Sequence, residues 1–326
     1  FPPVLVNICM AQTGVVLAFG IADAALAVFL LVLNISFARS MCQHHQLFKQ
    51  NRGAASISLV ITNLFGIYPI FAASSLFIRV HGDYSQQDLA DYEHKIMIPA
   101  APTYWIAQSL MVLLFVLRME KVFGATQWAV SDRRRQCLYC NAIVLIVLAA
   151  SISVPLAINN AVFAFLALLS MWVLLHFSLS LTLIILFMNT VRHIVVTRTK
   201  LEHSSRASME ISDAEHPTQS AQPSNTEEMV KENELFQVAI KHNILVRIAL
   251  ISTFVSFVIT FVTLAMDNDS IRFIAGTAMA IDCAISASCI YLLFAFHHPL
   301  YETVCSRLHH HCETSKAEKI NSFISD

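Results

Sequence analysis

Residues 192–241 read RHIVVTRTKLEHSSRASMEISDAEHPTQSAQPSNTEEMVKENELFQVAIK. The stretch is rich in serine, threonine, glutamate, glutamine and histidine, with almost no apolar run before Leu235–Phe236. Five long apolar segments precede it and two follow. That division predicts an all-α, integral membrane bundle of seven helices, because a helix needs about 20 apolar residues to cross a bilayer. The composition agrees: 56% of the 326 residues are hydrophobic and 13% are charged, whereas soluble domains carry roughly 25% charged residues.

Working outward, the apolar segments fall at about 4–37, 53–78, 96–117, 138–158, 161–191, 243–266 and 272–296. The chain divides into residues 1–191 with segments one to five, a largely disordered loop at 192–241, residues 242–296 with segments six and seven, and a tail at 297–326. Pro69 is expected to kink segment two, and Pro155 lies near the end of segment four. Pro99 and Pro102 are placed in the first turns of segment three, where a missing N–H costs least. From Glu232 onward, Leu235, Phe236, Ala239 and Ile240 recur at helical spacing, so segment six should extend one or two turns beyond the bilayer. Arg206-Ala-Ser208, Ser212-Asp-Ala-Glu215 and Ser224-Asn-Thr-Glu227 in the loop are candidate phosphorylation sites.

Lysine and arginine set the orientation. The two short loops at 38–52 and 118–136 hold eight of them, against three in the loops of the opposite side, 79–95 and 267–272. The N-terminus is therefore expected outside, with the long loop and the tail cytosolic. The chain begins at Phe1, so a start upstream is expected, and no basic n-region with a cleavage site is legible. No basic stripe interleaved with aromatics is present, so nucleic acid is not an expected partner. Eight cysteines fall mostly in apolar segments or on the reduced side and form no disulfide framework. No metal or cofactor is expected. Cys137-Leu-Tyr-Cys140 lacks a second pair, and His309-His310-His311-Cys312 lacks a fixed fourth ligand. Cys305 and Cys312 flank an amphipathic juxtamembrane stretch and are candidates for S-palmitoylation.

Polar side chains inside apolar segments are the candidate functional residues, since an unpaired one in hydrocarbon is costly. Asp23 and Asp282 are the only carboxylates deep in a segment. At 1.5 Å per residue they lie about 21–22 Å from the cytosolic ends, at similar depth. With Asn63, near mid-depth, they define an expected intramembrane polar cluster. On segment three Ala101, Tyr104, Trp105 and Gln108 share one face, the apolar-wall-plus-polar-group arrangement of a ligand cavity. Trp172, His176 and Ser180 align on segment five; Ser252, Ser256, Thr260 and Thr263 form a stripe on segment six. Such stripes also serve only to bond helices together.

This layout resembles a seven-transmembrane G-protein-coupled receptor of the rhodopsin-like kind, in a divergent form nearer to receptor-like proteins of protists. Leu117-Arg118-Met119 occupies the place of the family's acid-arginine-aromatic triplet, keeping the arginine, with Glu120 close by. Ala287-Ser288-Cys289-Ile290-Tyr291 keeps only the tyrosine of Asn-Pro-x-x-Tyr. Leu300–Cys312 looks like the short amphipathic eighth helix, and Asn63 stands where a sodium-site acid often lies. Segment six has neither tryptophan nor proline, segment four has no tryptophan, and the outer cysteine pair is missing. The resemblance implies a small-molecule or peptide ligand contacting Ala101, Tyr104, Trp105, Gln108, His176, Thr260, Thr263 and Asp282. It also implies a heterotrimeric G protein facing Arg118, Lys121, Lys241, Arg247 and Tyr291, with the protein embedded in lipid of the plasma membrane and no enzymatic activity. The principal rival is a polytopic transporter or channel, against which stand the few glycines and the lack of a visible repeat. A retinal protein would need a lysine deep in segment seven, where none occurs, and an intramembrane hydrolase would need a Gly-x-Ser-Gly or ligand-spaced histidines.

Overall fold

The computed structural model describes residues 3–43, 52–81, 86–123, 130–157, 162–212, 224–266 and 272–294. Seven long helices carry the expected spans: α1 (Pro3–Gln43), α2 (Arg52–His81), α3 (Gln86–Phe123), α4 (Asp132–Ser151), α5 (Val162–Ser212), α6 (Ser224–Ala265) and α7 (Arg272–Leu293). Each contains a stretch long and apolar enough to cross a membrane, and no strand occurs among the described residues. In hydrocarbon every backbone N–H and C=O must be paired within the protein, which a helix does within one segment.

The distribution of side chains is that of a membrane protein. Val28, Leu31 and Ile35 on α1, Ile70 on α2, Val147 on α4, Leu174 and Leu181 on α5, and Ile251 and Phe254 on α6 are exposed. Asp23, Gln108, His176, Thr253 and Asp282 are buried. A water-soluble fold would not leave so many large apolar side chains outside while enclosing carboxylates. The seven helices establish an α-helical integral membrane protein.

The helices close into a ring. Each packs on its neighbour in sequence, and α1 returns to α7. α3 also touches α5, α6 and α7 across the interior. Accordingly α3 and α7 are the most deeply buried of the seven membrane-spanning segments and α1 the least. Position in the ring therefore decides which helices carry buried polar groups.

Local sequence explains where the helices break and how they meet. Pro155 has no N–H for the Ser151 carbonyl, and its ring clashes there. α4 accordingly ends at Ser151, and a separate turn at Ser153–Ala157 follows. α1 and α2 approach closely where α2 carries Gly66: a Cβ there would lie 3.3 Å from Asn34 Nδ2. Asn34 Nδ2 donates to the Thr62 carbonyl at 3.0 Å. A small residue at the crossing lets the amide of one helix reach the backbone of the next.

Two boundaries differ from the sequence reading. α3 starts at Gln86, so Pro99 and Pro102 lie well inside it rather than in its first turns. The polar run Gln86–Lys95 contains alanine, leucine, glutamate and lysine, good helix formers, and helix propagates past the apolar limit. The long polar stretch is also more helical than read. α5 continues to Ser212 and α6 begins at Ser224, further than the one or two turns expected. α5, with 51 residues, is about 75 Å long at 1.5 Å per residue, more than twice the hydrocarbon thickness. Its excess and that of α6 emerge on the same side. Cys305, Cys312 and the expected eighth helix at 300–312 lie outside the described residues.

Gly66→Leu should lower the thermal unfolding midpoint in detergent, since overpacking costs about 1–3 kcal/mol. At Gly14 an added Cβ would meet nothing within 4 Å, so Gly14→Leu should raise the midpoint slightly or leave it unchanged. Equal loss in both variants would rule out close packing at the α1–α2 crossing.

Candidate functional site

Asp282 sits mid-way along α7 and is 1% exposed. Its carboxylate gathers donors from two other helices. Tyr104 Oη donates to Oδ2 at 2.5 Å, and Gln108 Nε2 donates to the same oxygen at 2.7 Å. Both come from α3 because residues four apart lie one turn above the other on one face. From α6, Thr253 Oγ1 stands 3.3 Å from Oδ1 and 3.0 Å from its own Ala249 carbonyl. One hydroxyl proton is thus divided between two acceptors, making this the weakest of the three. Ser252 also faces the carboxylate. α3, α6 and α7 meet at this one side chain.

Asp23 on α1 is likewise fully buried. It accepts from Thr277 Oγ1 on α7 at 3.0 Å, and its Oδ1 has no partner. Between the acids stands Tyr68 of α2, whose ring centroid lies 5.6 Å from that of Tyr104. Its hydroxyl donates to Met279 Sδ at 3.3 Å. α7 therefore presents Thr277, Met279 and Asp282 in turn to α1, α2 and α3, and the two carboxylates belong to one interior layer. Asn63 does not. It is exposed on the outer face of α2, with Nδ2 bonded to its own Leu59 carbonyl at 2.7 Å. Thr62, one residue earlier, takes the inward position, since adjacent residues on a helix point about 100° apart.

A second centre joins α3, α4 and α5. Ser109 Oγ donates to the Trp105 carbonyl at 2.8 Å, near the Leu145 carbonyl at 3.4 Å, and accepts from Trp172 Nε1 at 2.9 Å. His176 stacks on Trp172 at 4.9 Å between centroids. Both of its ring nitrogens are buried without a partner, as are Trp105 Nε1, Gln108 Oε1 and Ser256 Oγ. These orphaned polar atoms, beside aromatic walls, are groups that a bound molecule could satisfy. Ala101 is buried on the same helix. Thr260 and Thr263 return their hydroxyls to α6 carbonyls, at 2.8 Å to Ser256 and 2.8 Å to Thr260. The part of α6 that meets Asp282 is lower, at Ser252 and Thr253.

At the far end of α3, Arg118 lays its guanidinium on the Phe294 ring, 4.3 Å from the centroid. Glu120 is turned away to α4, bonded to Tyr139 and paired with Arg135 at 3.1 Å. Lys241 of α6 is 5% exposed and donates to the Phe294 carbonyl at 3.3 Å. That ammonium neutralises the carbonyl end of α7, where a helix carries partial negative charge. Lys121 is exposed and Arg247 half-buried. Tyr291 packs toward α1, 6.2 Å from the Phe37 ring and against Ser40, rather than toward Arg118.

No protein-family model, curated protein or solved structure matches the chain. The class that fold and side chains define is a seven-helix integral membrane protein with a buried polar layer. Sequence reading missed Tyr68, Ser109, Thr253 and Thr277. Each is a common residue type in a long apolar run, and only the neighbouring helix distinguishes it from its surroundings.

Asp282→Leu should destabilise strongly, because Tyr104 and Gln108 would each be buried without an acceptor, at about 1–3 kcal/mol apiece. Asp282→Asn keeps one acceptor oxygen and should lose markedly less, as thermal unfolding in detergent would report. Asn34→Ala should cost about 0.6 kcal/mol, the average for interhelical bonds in membranes, and no more than about 1.7 kcal/mol. Asn63→Ala should fall within about 0.5 kcal/mol of the parent.

Proposed function

We propose that this protein is a receptor of the G-protein-coupled kind, sensing an extracellular small molecule or peptide and signalling to a cytosolic heterotrimeric G protein. The observation that carries the reading is the three-helix junction at Asp282. One carboxylate ties α6 to α3 and α7, and its bond to α6 through Thr253 is the longest of the three. A ligand entering among Tyr104, Trp105, Gln108 and His176 would compete for the same donors. It would bias α6 between a held and a released position, a population shift driven by differential affinity. At the opposite end, Lys241 of α6 and Arg118 of α3 both contact Phe294, which follows the last helical residue of α7. Release of α6 there would uncover Arg118, Lys121 and Arg247 to a partner. The extensions of α5 and α6 on the lysine- and arginine-rich side support a signalling partner in the cytosol, with the N-terminus outside and the plasma membrane as the site.

A transporter is the second reading, favoured by Asp23 and Asp282 lying in one buried layer. Intramembrane carboxylates of this kind carry protons or cations in pumps and carriers.

The two readings separate in one preparation. Membranes holding the full chain should accelerate nucleotide exchange on added heterotrimeric G protein. Asp282→Asn should raise basal exchange by loosening α6, and Arg118→Ala should abolish it. Proton or solute flux in proteoliposomes, with no exchange on any G-protein class, would overturn the receptor reading in favour of transport.

A further inference from the structure

The guanidinium of Arg118 is used on one face only. Phe294 covers that face, while Nε and Nη2 are both buried and have no hydrogen-bond partner. These two nitrogens form one edge of the fork, the edge that receives two oxygens of a single anion side by side. A cation–π contact leaves those in-plane N–H groups unsatisfied, and an unsatisfied charged donor costs more than a neutral one.

The surroundings are basic. Lys121 lies within electrostatic range of Arg118. The His242 ring, stacked on Phe187 at 6.0 Å, feels both Arg118 and Lys241. His242 is 2% exposed, with Nδ1 held by the Val238 carbonyl at 2.8 Å and Nε2 buried without a partner. The acid nearest in sequence, Glu120, is engaged by Tyr139 and Arg135 on α4. An orphaned donor edge on α3 and an orphaned ring nitrogen on α6, which carries a lone pair because Nδ1–H is spent on the Val238 carbonyl, thus stand within a set of three lysine and arginine side chains.

We infer that the Arg118–His242 end of the bundle is a binding site for a phosphomonoester, with Arg118 Nε and Nη2 donating to two oxygens and His242 Nε2 accepting from the hydroxyl of the monoanion. A phosphomonoester carries about −1.5 to −2 charge at neutral pH and three strong acceptors, which suits several cations better than a carboxylate does. The same chemistry is offered by the headgroup of a phosphoinositide in the adjoining leaflet and by free phosphate. A bound phosphate would hold α3 to α6, and the site stands whether or not the receptor reading does.

The test uses the full chain in nanodiscs of phosphatidylcholine, read by thermal unfolding and by binding of a fluorescent phosphoinositide. Phosphoinositide in the bilayer should raise the midpoint, and Arg118→Gln should weaken binding by about tenfold or more, the factor expected for one lost bidentate charged contact. Inorganic phosphate, against chloride at equal ionic strength, separates the sources. A rise with both probes identifies a site open to free phosphate; a rise with lipid alone assigns the headgroup. Should Arg118→Gln not fold, Arg118→Lys keeps the charge, loses the fork and should still weaken binding several-fold. His242→Phe, which keeps the stack on Phe187, should weaken it less. No rise with either probe, an equal rise with acetate, or undiminished binding in the folded arginine variants would overturn the inference. Nucleotide exchange is not part of the readout, so a failed receptor assay leaves the result intact.

Discussion

A carboxylate in hydrocarbon must find its donors within the protein, and Asp282 finds them on helices other than its own. That constraint explains much of the interior. Ionised or not, the group is too costly to leave unbonded, so Tyr104, Gln108 and Thr253 have to be where they are. Their positions fix the rotation of α3 and α6 about their axes relative to α7. Asp23 does the same for α1 through Thr277, and Tyr68 occupies the space between. In a bilayer, apolar side chains distinguish poorly between a neighbouring helix and lipid. The polar layer is therefore where the pairing of these helices is specified.

The two ends of the bundle are built differently. Toward one end the buried groups are neutral donors and aromatic rings, with His176 stacked on Trp172 and several polar atoms unbonded. Toward the other the groups are cationic, and the carbonyl end of α7 gathers Lys241 and the face of Arg118. α6 takes part in both, through Thr253 above and Lys241 with His242 below. A displacement of α6 is consequently felt at both ends of the bundle. Glu120, the acid nearest Arg118 in sequence, instead ties α3 to α4. This choice leaves that end of the bundle with its positive character.

The sequence by itself determined the number of spans, their approximate limits and the side on which basic residues collect. Those follow from one-dimensional quantities: the length of an apolar run, the placement of proline and the count of charges between runs. It also determined that Asp23 and Asp282 matter, because a carboxylate within such a run is conspicuous without reference to any neighbour. Tyr104 and Gln108 were legible as one face of α3 by their spacing. What the tertiary structure alone decided is which residues answer them. Asn63 and Thr62 are adjacent in sequence and equally polar, yet only Thr62 points inward, because α2 is rotated by its packing on α1 and α7. Thr253 rather than Thr260 meets Asp282 because the height at which α6 crosses α7 is set by packing of the whole ring. Such rotations and heights are collective, fixed by the burial of many side chains at once, and no local pattern in the chain encodes them.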